Sequence, residues 1–369
     1  MNEHTKNTLQ HLQKLVSFDS QNPPRDISVE SEIFAYLKSQ LKDFNISLQD
    51  SGDGCISLLA IRGTPALLFN VHIDTVPRAE GWTQDPFTLS IANGKACGLG
   101  ACDIKGAAAC LLTLANENKK DMALLFSSDE EAGSSVAVKA FLKQQHDFKE
   151  VIVAEPTCGL AITAHRGIQT AEAQFSGIAG HASEQRALHD NAIHKAADWL
   201  CKATQWVESQ QQLSHQSLTG IPFNAGTISG GVKANMIAQS CQIKFGFRPL
   251  PGQKSEQLLK SFANLAEEVV IQKGFFGPTL PADNQDFETA IASAESIINK
   301  YRLQPGKAVS FWTEASLFSQ SGLTAIVLGP GNIAQAHAAD EWVEIAELER
   351  AYFQYKKVID YNANSGEKS

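Results

Sequence analysis

Two stretches, ALLFNVHIDTVP (66–77) and MALLFSSDEE (122–131), decide the fold. Each opens with an apolar run that does not alternate and closes on polar, titratable residues. Runs of four to eight such residues suit strands buried on both faces, as in a parallel sheet. ISLLAI (56–61), VIVAEP (151–156) and TAIVLG (324–329) read the same way, with helical patterns near 104–116 and 134–145 between them. Strand and helix in alternation predict an α/β domain, a mainly parallel sheet covered by helices.

Working outward, Leu9, Leu12, Leu15 and Val16 share one helical face, and Ile33, Phe34, Leu37 and Leu41 share another. The Asn22-Pro23-Pro24 segment between them cannot continue a helix. Beyond residue 167 the pattern changes. QTAEAQFS (169–176) and CQIKFGFR (241–248) alternate like half-exposed strands, and helical stretches cover 190–209 and 254–272. The FGPTLP turn near 276 ends this region, and buried-strand character then returns. The expected arrangement is a discontinuous catalytic domain, 1–167 and 277–369, with an α+β unit inserted at 168–276.

A chain of 369 residues fits two or three domains. Its 31 Lys+Arg against 40 Asp+Glu leave a diffuse net charge of −9, which argues against nucleic acid or an anionic membrane as partner. No apolar stretch approaches the roughly 18 residues of a membrane span, and MNEHTKNTLQHLQKL lacks the layout of a signal peptide. A soluble, cytoplasmic protein is expected. The seven cysteines (55, 97, 102, 110, 158, 201 and 241) form no CxxC pair, so neither a thiolate zinc cluster nor a disulfide framework is indicated.

The polar residues that follow the apolar runs carry the chemistry. They include His72 and Asp74, Glu130 and Glu131, Glu155, and His337 beyond Gly329-Pro330-Gly331, while GLGACD (98–103) opens a helix with Asp103. In an open α/β sheet, ligands bind beyond the carboxyl ends of the strands, so parallel runs would empty all of these into one crevice. Carboxylates crowded there without a cation repel one another and raise each other's pKa. Mixed His/carboxylate ligation suits Zn²⁺, Co²⁺ or Mn²⁺, and five donors are enough for a pair of ions about 3.5–4 Å apart. Singly, each residue also has a plain structural reading: a core histidine, a solvated Glu pair, a turn, or an N-terminal helix carboxylate.

HIDTVP (72–77), GLGACDIKG (98–106), SSDEEAG (127–133), VAEPT (153–157), GIAGHAS (177–183) and GPGNIAQAH (329–337) resemble, in order and spacing, the motif series of the M20 family of metallo-aminoacylases and peptidases. FWTEASLF (311–318), RPLP (248–251) and GGVKANMIA (230–238) resemble its arginine-biosynthesis deacetylases, which act on N-acetylornithine or N-acetylcitrulline. The wording looks closest to the acetylcitrulline subgroup.

The resemblance implies a zinc-peptidase-like catalytic domain, an inserted lid and dimerisation domain, and one or two Zn²⁺ or Co²⁺ ions per subunit. His72, Asp103 and Glu155 would bind one ion, and Asp103, Glu131 and His337 the other. Asp74 would fix the His72 tautomer, and Glu130 would act as general base toward water and then as acid toward the leaving amine. His181 would reach the partner subunit's site in a homodimer and donate to the developing oxyanion. Arg166, Asn235, Arg248 and Thr313 would contact the N-acyl amino acid, a bidentate arginine being suited to its carboxylate.

Two departures stand out. The segment after GHAS reads EQRALHDNAI, lacking the family's usual proline while keeping Asn191-Ala192, and Cys102 beside Asp103 is a thiol that could be oxidation-sensitive and to which no role is assigned. A desuccinylase for succinyl-diaminopimelate, a dipeptidase, and a silent metal-binding scaffold are the competing readings. Glu314 could pair with a cationic side chain, but both kinds of deacetylase carry such a segment, so it does not choose between ornithine and citrulline.

Overall fold

The structure is a computed structural model that describes residues 1–24 and 26–366. It divides into two compact units, one formed by Met1–Thr163, Glu288–Gly306 and the chain from Thr313 onward, the other by Ala164–Phe287 and Lys307–Trp312. The region expected as an insert at 168–276 falls within the second unit. That unit takes in flanking residues because the His165 backbone exchanges hydrogen bonds with Leu280 and bridges to Val309.

In the first unit a six-stranded sheet runs, edge to edge, Asn45–Asp50, Ile56–Arg62, Met122–Ser127, Leu67–His72, Glu150–Val153, Thr324–Val327. The last four are mutually parallel. Ile56–Arg62 runs antiparallel to Met122–Ser127, and the edge strand Asn45–Asp50 runs antiparallel to Ile56–Arg62. ISLLAI is therefore a buried strand of opposite direction, and an apolar run alone carries no arrow. The parallel strands Leu67–His72 and Met122–Ser127 are buried at every position, as their unbroken apolar sequence requires.

Helices Glu3–Val16, Lys105–Glu117 and Ile345–Gly366 pack together on this sheet. The first is capped by Asn2, whose side chain accepts from the Thr5 amide, and buries the Leu9, Leu12, Leu15, Val16 stripe. Lys105–Glu117 is buried on nearly all sides, which the small residues Ala107, Ala108 and Ala109 allow.

The second unit is an antiparallel sheet in the order Phe223–Gly230, Ser240–Phe247, Ile168–Ser176, Val270–Gly277. Burial alternates along Ile168–Ser176, with the inward residues packed under helices Ala192–Ser209 and Ser255–Ala263. Trp199 lies at the centre against Phe175, Phe245 and Phe262, and its indole donates to the Phe262 carbonyl at 2.9 Å. The helix expected over 254–272 stops at Ala263, and the chain returns as the edge strand Val270–Gly277. The β-branched pair Val270-Ile271 and the close approach of Gly274 to Thr170 favour the strand there.

Candidate metal centre

The parallel strands deliver the titratable residues. His72 is the last residue of Leu67–His72, and Glu155 follows Glu150–Val153 by one residue, its neighbour Ala154 still donating to the Asn70 carbonyl at 3.0 Å. Asp129, Glu130 and Glu131 follow Met122–Ser127, and His337 follows Thr324–Val327 by way of a short 3-10 turn capped by Asn332. Asp103 precedes helix Lys105–Glu117 across a cis peptide to Ile104. The segment carrying Gly329 crosses the Glu155 segment so closely that a Cβ on Gly329 would meet the Glu155 and Ala154 carbonyls.

All five expected donors converge. His72 Nε2 lies 3.1 Å from Asp103 Oδ1 and 3.8 Å from Glu155 Oε1. His337 Nε2 lies 3.4 Å from Asp103 Oδ2 and 3.0 Å from Glu131 Oε1. Asp103 thus stands between the two imidazoles, one carboxylate oxygen toward each. One ligand atom each from His72, Asp103 and Glu131 fall within 4.8 Å of one another. His72, Asp103 and Glu155 are buried, whereas His337 is exposed at the rim with a left-handed backbone (φ 59°).

The charge balance tests whether a cation fits. Burial, with mutual repulsion, pushes the carboxyls of Glu130, Glu131 and Glu155 above the usual range. Against the same burial, hydrogen bonds from both imidazoles hold Asp103 below it. His72, although burial opposes its charge, is raised by Asp103 and Asp74, and His337 is pushed up to about 10 by its bonds to Asp103 and Glu131. Glu155 Oε1 is buried without a hydrogen-bond partner, an arrangement that costs roughly 1–3 kcal/mol or more unless something satisfies it. The donor set is mixed His/carboxylate, as borderline divalent cations prefer. The residues fit a metal.

Asp74 does two things. His72 Nδ1 lies 3.0 Å from the Asp74 carbonyl, which can only accept, so that nitrogen carries a proton and Nε2 is the ring nitrogen turned to Asp103. The Asp74 carboxylate, 3.5 Å from Nδ1, accepts from the Glu131 amide at 3.0 Å and ties the two donor segments together. Three consecutive acids divide the labour. Asp129 turns to the start of helix Val136–Leu142 and accepts from Ser134 Oγ and the Ala137 amide, Glu131 faces His337, and Glu130 lies partly exposed with a raised carboxyl.

Cys102 is buried, its Sγ 3.4 Å from the Asn332 carbonyl, and burial drives the thiol far above its usual range. A buried, protonated thiol is a poor target for oxidants, contrary to the expectation of sensitivity. All seven cysteines are free.

In the second unit, His181 is exposed in the two-residue strand Gly180–His181, paired with Met236–Ile237, and its Nδ1 lies 2.8 Å from Ser183 Oγ. The loop that lacks the proline is closed instead by Arg186. This guanidinium binds Glu184, Asp190 and the carbonyls of Ile178 and Ala179, and Asn191 then caps Ala192–Ser209. Asn235 is exposed, its carbonyl accepting from the Ala182 amide. Arg248 is half-buried in a groove on the open face of the sheet, beside Asn224 and Lys244, and no carboxylate among the described residues pairs with it. Arg166 lies among backbone carbonyls. It is buried, and its terminal nitrogens donate to the carbonyls of Gly220, Thr219 and Arg248, so it braces the backbone that carries Arg248. Thr313, in the first unit, is buried, with its hydroxyl accepting from the Ala315 amide.

Two buried neighbours of the donor segments, Glu341 and Lys105, escape sequence reasoning, and a third, Glu314, is read there only as a possible partner for a cationic substrate end. Glu341 is buried and accepts from three backbone amides of the Asp103 loop. Lys105 is fully buried, with Nζ donating to the Phe18 carbonyl at 3.1 Å, and burial lowers it to about 8. Glu314 is buried, accepts from Ser127 Oγ at 2.9 Å, and is raised to about 7 by burial and by Asp129. In sequence, Asp340-Glu341 reads as an ordinary surface pair, and nothing local marks it otherwise.

Residues 68–360 match the profile of peptidase family M20/M25/M40. The chain is 47% identical over 356 residues to an N-acetyl-L-citrulline deacetylase of Xanthomonas campestris pv. campestris, covering 96% of this chain and 97% of that one. It is 29% identical over 327 residues to an acetylornithine deacetylase of Myxococcus xanthus, covering 82% and 83%. The crystal structure of the aminopeptidase PepT from Bacillus cereus superposes with a TM-score of 0.76 at 19% identity, covering 97% of this chain and 99% of that one, a likeness of fold. No described helix is long and apolar enough to cross a membrane. By the extent of the profile match and the near-complete overlap with its relatives, the chain belongs to peptidase family M20/M25/M40.

Proposed function

We propose that the chain is a cytoplasmic, metal-dependent deacetylase of arginine biosynthesis that hydrolyses the acetyl amide of N-acetyl-L-citrulline to citrulline and acetate. The observation that carries the chemistry is the convergence of His72, Asp103, Glu131, Glu155 and His337, with the raised carboxyl of Glu130 next to Glu131 in the chain. Near full-length similarity to an N-acetyl-L-citrulline deacetylase supports the substrate.

His72, Asp103 and Glu155 would hold one zinc or cobalt ion, and Asp103, Glu131 and His337 the second. When bound, the ions supply Lewis-acid polarisation of the amide carbonyl and a water acidic enough to be deprotonated near neutral pH. Glu130 takes the proton from the attacking water and returns it to the leaving amine. Burial raises its carboxyl, and a base poised nearer neutrality can serve in both directions. Asp74 holds the His72 ring and the Glu131 segment in place.

His181, its ring anchored through Nδ1 to Ser183, is the donor to the developing oxyanion across a homodimer. The homodimer reading is supported by the edge strand Phe223–Gly230, where Ile228 is 54% exposed, and by Val232 at 83%. Arg248, with no carboxylate paired to it among the described residues, and Asn235 are the groups assigned to the substrate's α-carboxylate, with Arg166 bracing the backbone at Arg248, and Thr313 is assigned as a further substrate contact.

Acetate release from N-acetyl-L-citrulline and N2-acetyl-L-ornithine, measured side by side on the zinc- or cobalt-loaded protein, tests the assignment. The expected result is a kcat/KM at least tenfold higher for the citrulline derivative, about 1.4 kcal/mol of discrimination. Equal rates, or preference for ornithine, would reject the substrate assignment, and inertness toward both would reject the deacetylase reading.

A further inference from the structure

Of the buried groups without a place in the proposed chemistry, Glu341 has the most specific surroundings. Its Oε1 accepts from the amides of Cys102 and Asp103, both at 2.9 Å, and its Oε2 accepts from the Gly100 amide, also at 2.9 Å. Its own carbonyl accepts from Gly98 at 2.9 Å. One residue thus takes four of the amides between positions 98 and 103, and it is only 2% exposed.

The pairing arises from a neighbouring ladder. Trp342–Glu344 runs antiparallel to Lys95–Cys97, with Trp342 opposite Cys97, so the two chains leave the ladder side by side. One continues to Asp103, and the other leads back to His337. On the far side, the Asp340 carboxylate accepts from the Thr83 amide and hydroxyl, both at 2.9 Å, so the 337–341 turn is held at both ends.

We infer that Glu341 is a positioning residue which, through four backbone amides, locks the Asp103 loop to the His337 loop and so sets the spacing of the donors they share. It touches neither a ligand atom nor the crevice. The inference rests on the metal-centre reading above. The chemistry requires a carboxylate, since two oxygens meet three N–H donors and there is nothing on the other side to donate to. In Glu341→Gln the side-chain amide would turn two hydrogens onto one or two of those donors. Glu341→Asp keeps the charge but falls short by one methylene.

The test uses the full-length, metal-stripped protein as wild type, Glu341→Gln and Glu341→Asp, with folding followed by near-ultraviolet circular dichroism. Zinc affinity is measured by chelator competition, and amide hydrogen exchange is read at Gly100, Cys102 and Asp103. In Glu341→Gln, zinc affinity should fall by about 10–100-fold, the cost usual for a partner that orients ligands. Exchange at the three amides should quicken, and turnover should recover as zinc is raised to saturation. Glu341→Asp should fall between the two and decides the matter if the glutamine variant does not fold. Wild-type affinity together with wild-type exchange in Glu341→Gln would overturn the inference alone, as would a turnover defect that saturating zinc does not repair. A wild-type protein that takes up no zinc would instead refute the metal-centre reading.

Discussion

The two units present their chemistry in opposite ways. In the first, His72 and Glu155 sit at the ends of core strands, buried, and bonded to or crowded against other acids and imidazoles. In the second, His181 and Asn235 are exposed on short strands and turns, and Arg248 is half-buried on the open face of a sheet. Buried donors pre-organise a cation site at the cost of crowding like charges. Exposed groups avoid that cost and keep their hydrogen-bonding capacity for a ligand. On the proposed function, the contrast would separate residues that prepare the reaction from residues that receive the substrate.

The largest effect should come from the first unit. Glu130→Gln should lower kcat by about 10²–10⁴-fold, the usual worth of a general acid–base residue. Bound metal, measured by mass spectrometry, should be unchanged. A variant that instead loses metal would mean that the roles of Glu130 and Glu131 are exchanged. His181→Ala comes next. Loss of one oxyanion donor costs about 10²–10³ in kcat, with metal content again unchanged. Mixing this variant with Glu130→Gln should restore activity in hybrid dimers. Failure of any rescue would place His181 outside the partner's reaction.

The smallest effect should appear in stability. The Glu314 carboxyl keeps its proton to about 7 in the folded protein and releases it at 4.5 when exposed. Between those values the folded state binds more protons, so wild-type stability must fall as pH rises through that window. Glu314→Gln cannot titrate. In metal-free protein its stability relative to wild type should therefore climb between about pH 4.5 and 7, by on the order of 3 kcal/mol at 1.36 kcal/mol per pKa unit. Asp129, His72 and Asp74 are the charged groups that act on it. Melting curves for the two proteins across that range check this, and a stability difference that stays constant with pH would contradict the burial of an ionisable Glu314.

What the sequence disclosed follows from range. An unbroken apolar run such as MALLFSS records burial on two faces, so the strands that end at His72 and lead to Glu131 and Glu155 are visible from local pattern. Direction is not local. ISLLAI looks the same as its neighbours and runs against them, and the strand Val270–Gly277 hid behind a helical pattern that ends at Ala263. Residue chemistry marked the donors because imidazoles and carboxylates after core strands are unusual. Glu341 and the backbone contacts of Arg166 escape the sequence for one reason: their partners are backbone groups far along the chain, and a backbone group leaves no letter to read.

The placement of Thr324–Val327 at the margin of the six-stranded sheet, last in the chain among its strands, sets a timetable for maturation. His337 reaches Asp103 and Glu131 only after that strand has docked. On the proposed reading, a donor set that includes His337 is complete only once nearly the whole described chain is available, so uptake of a second ion would follow folding rather than seed it.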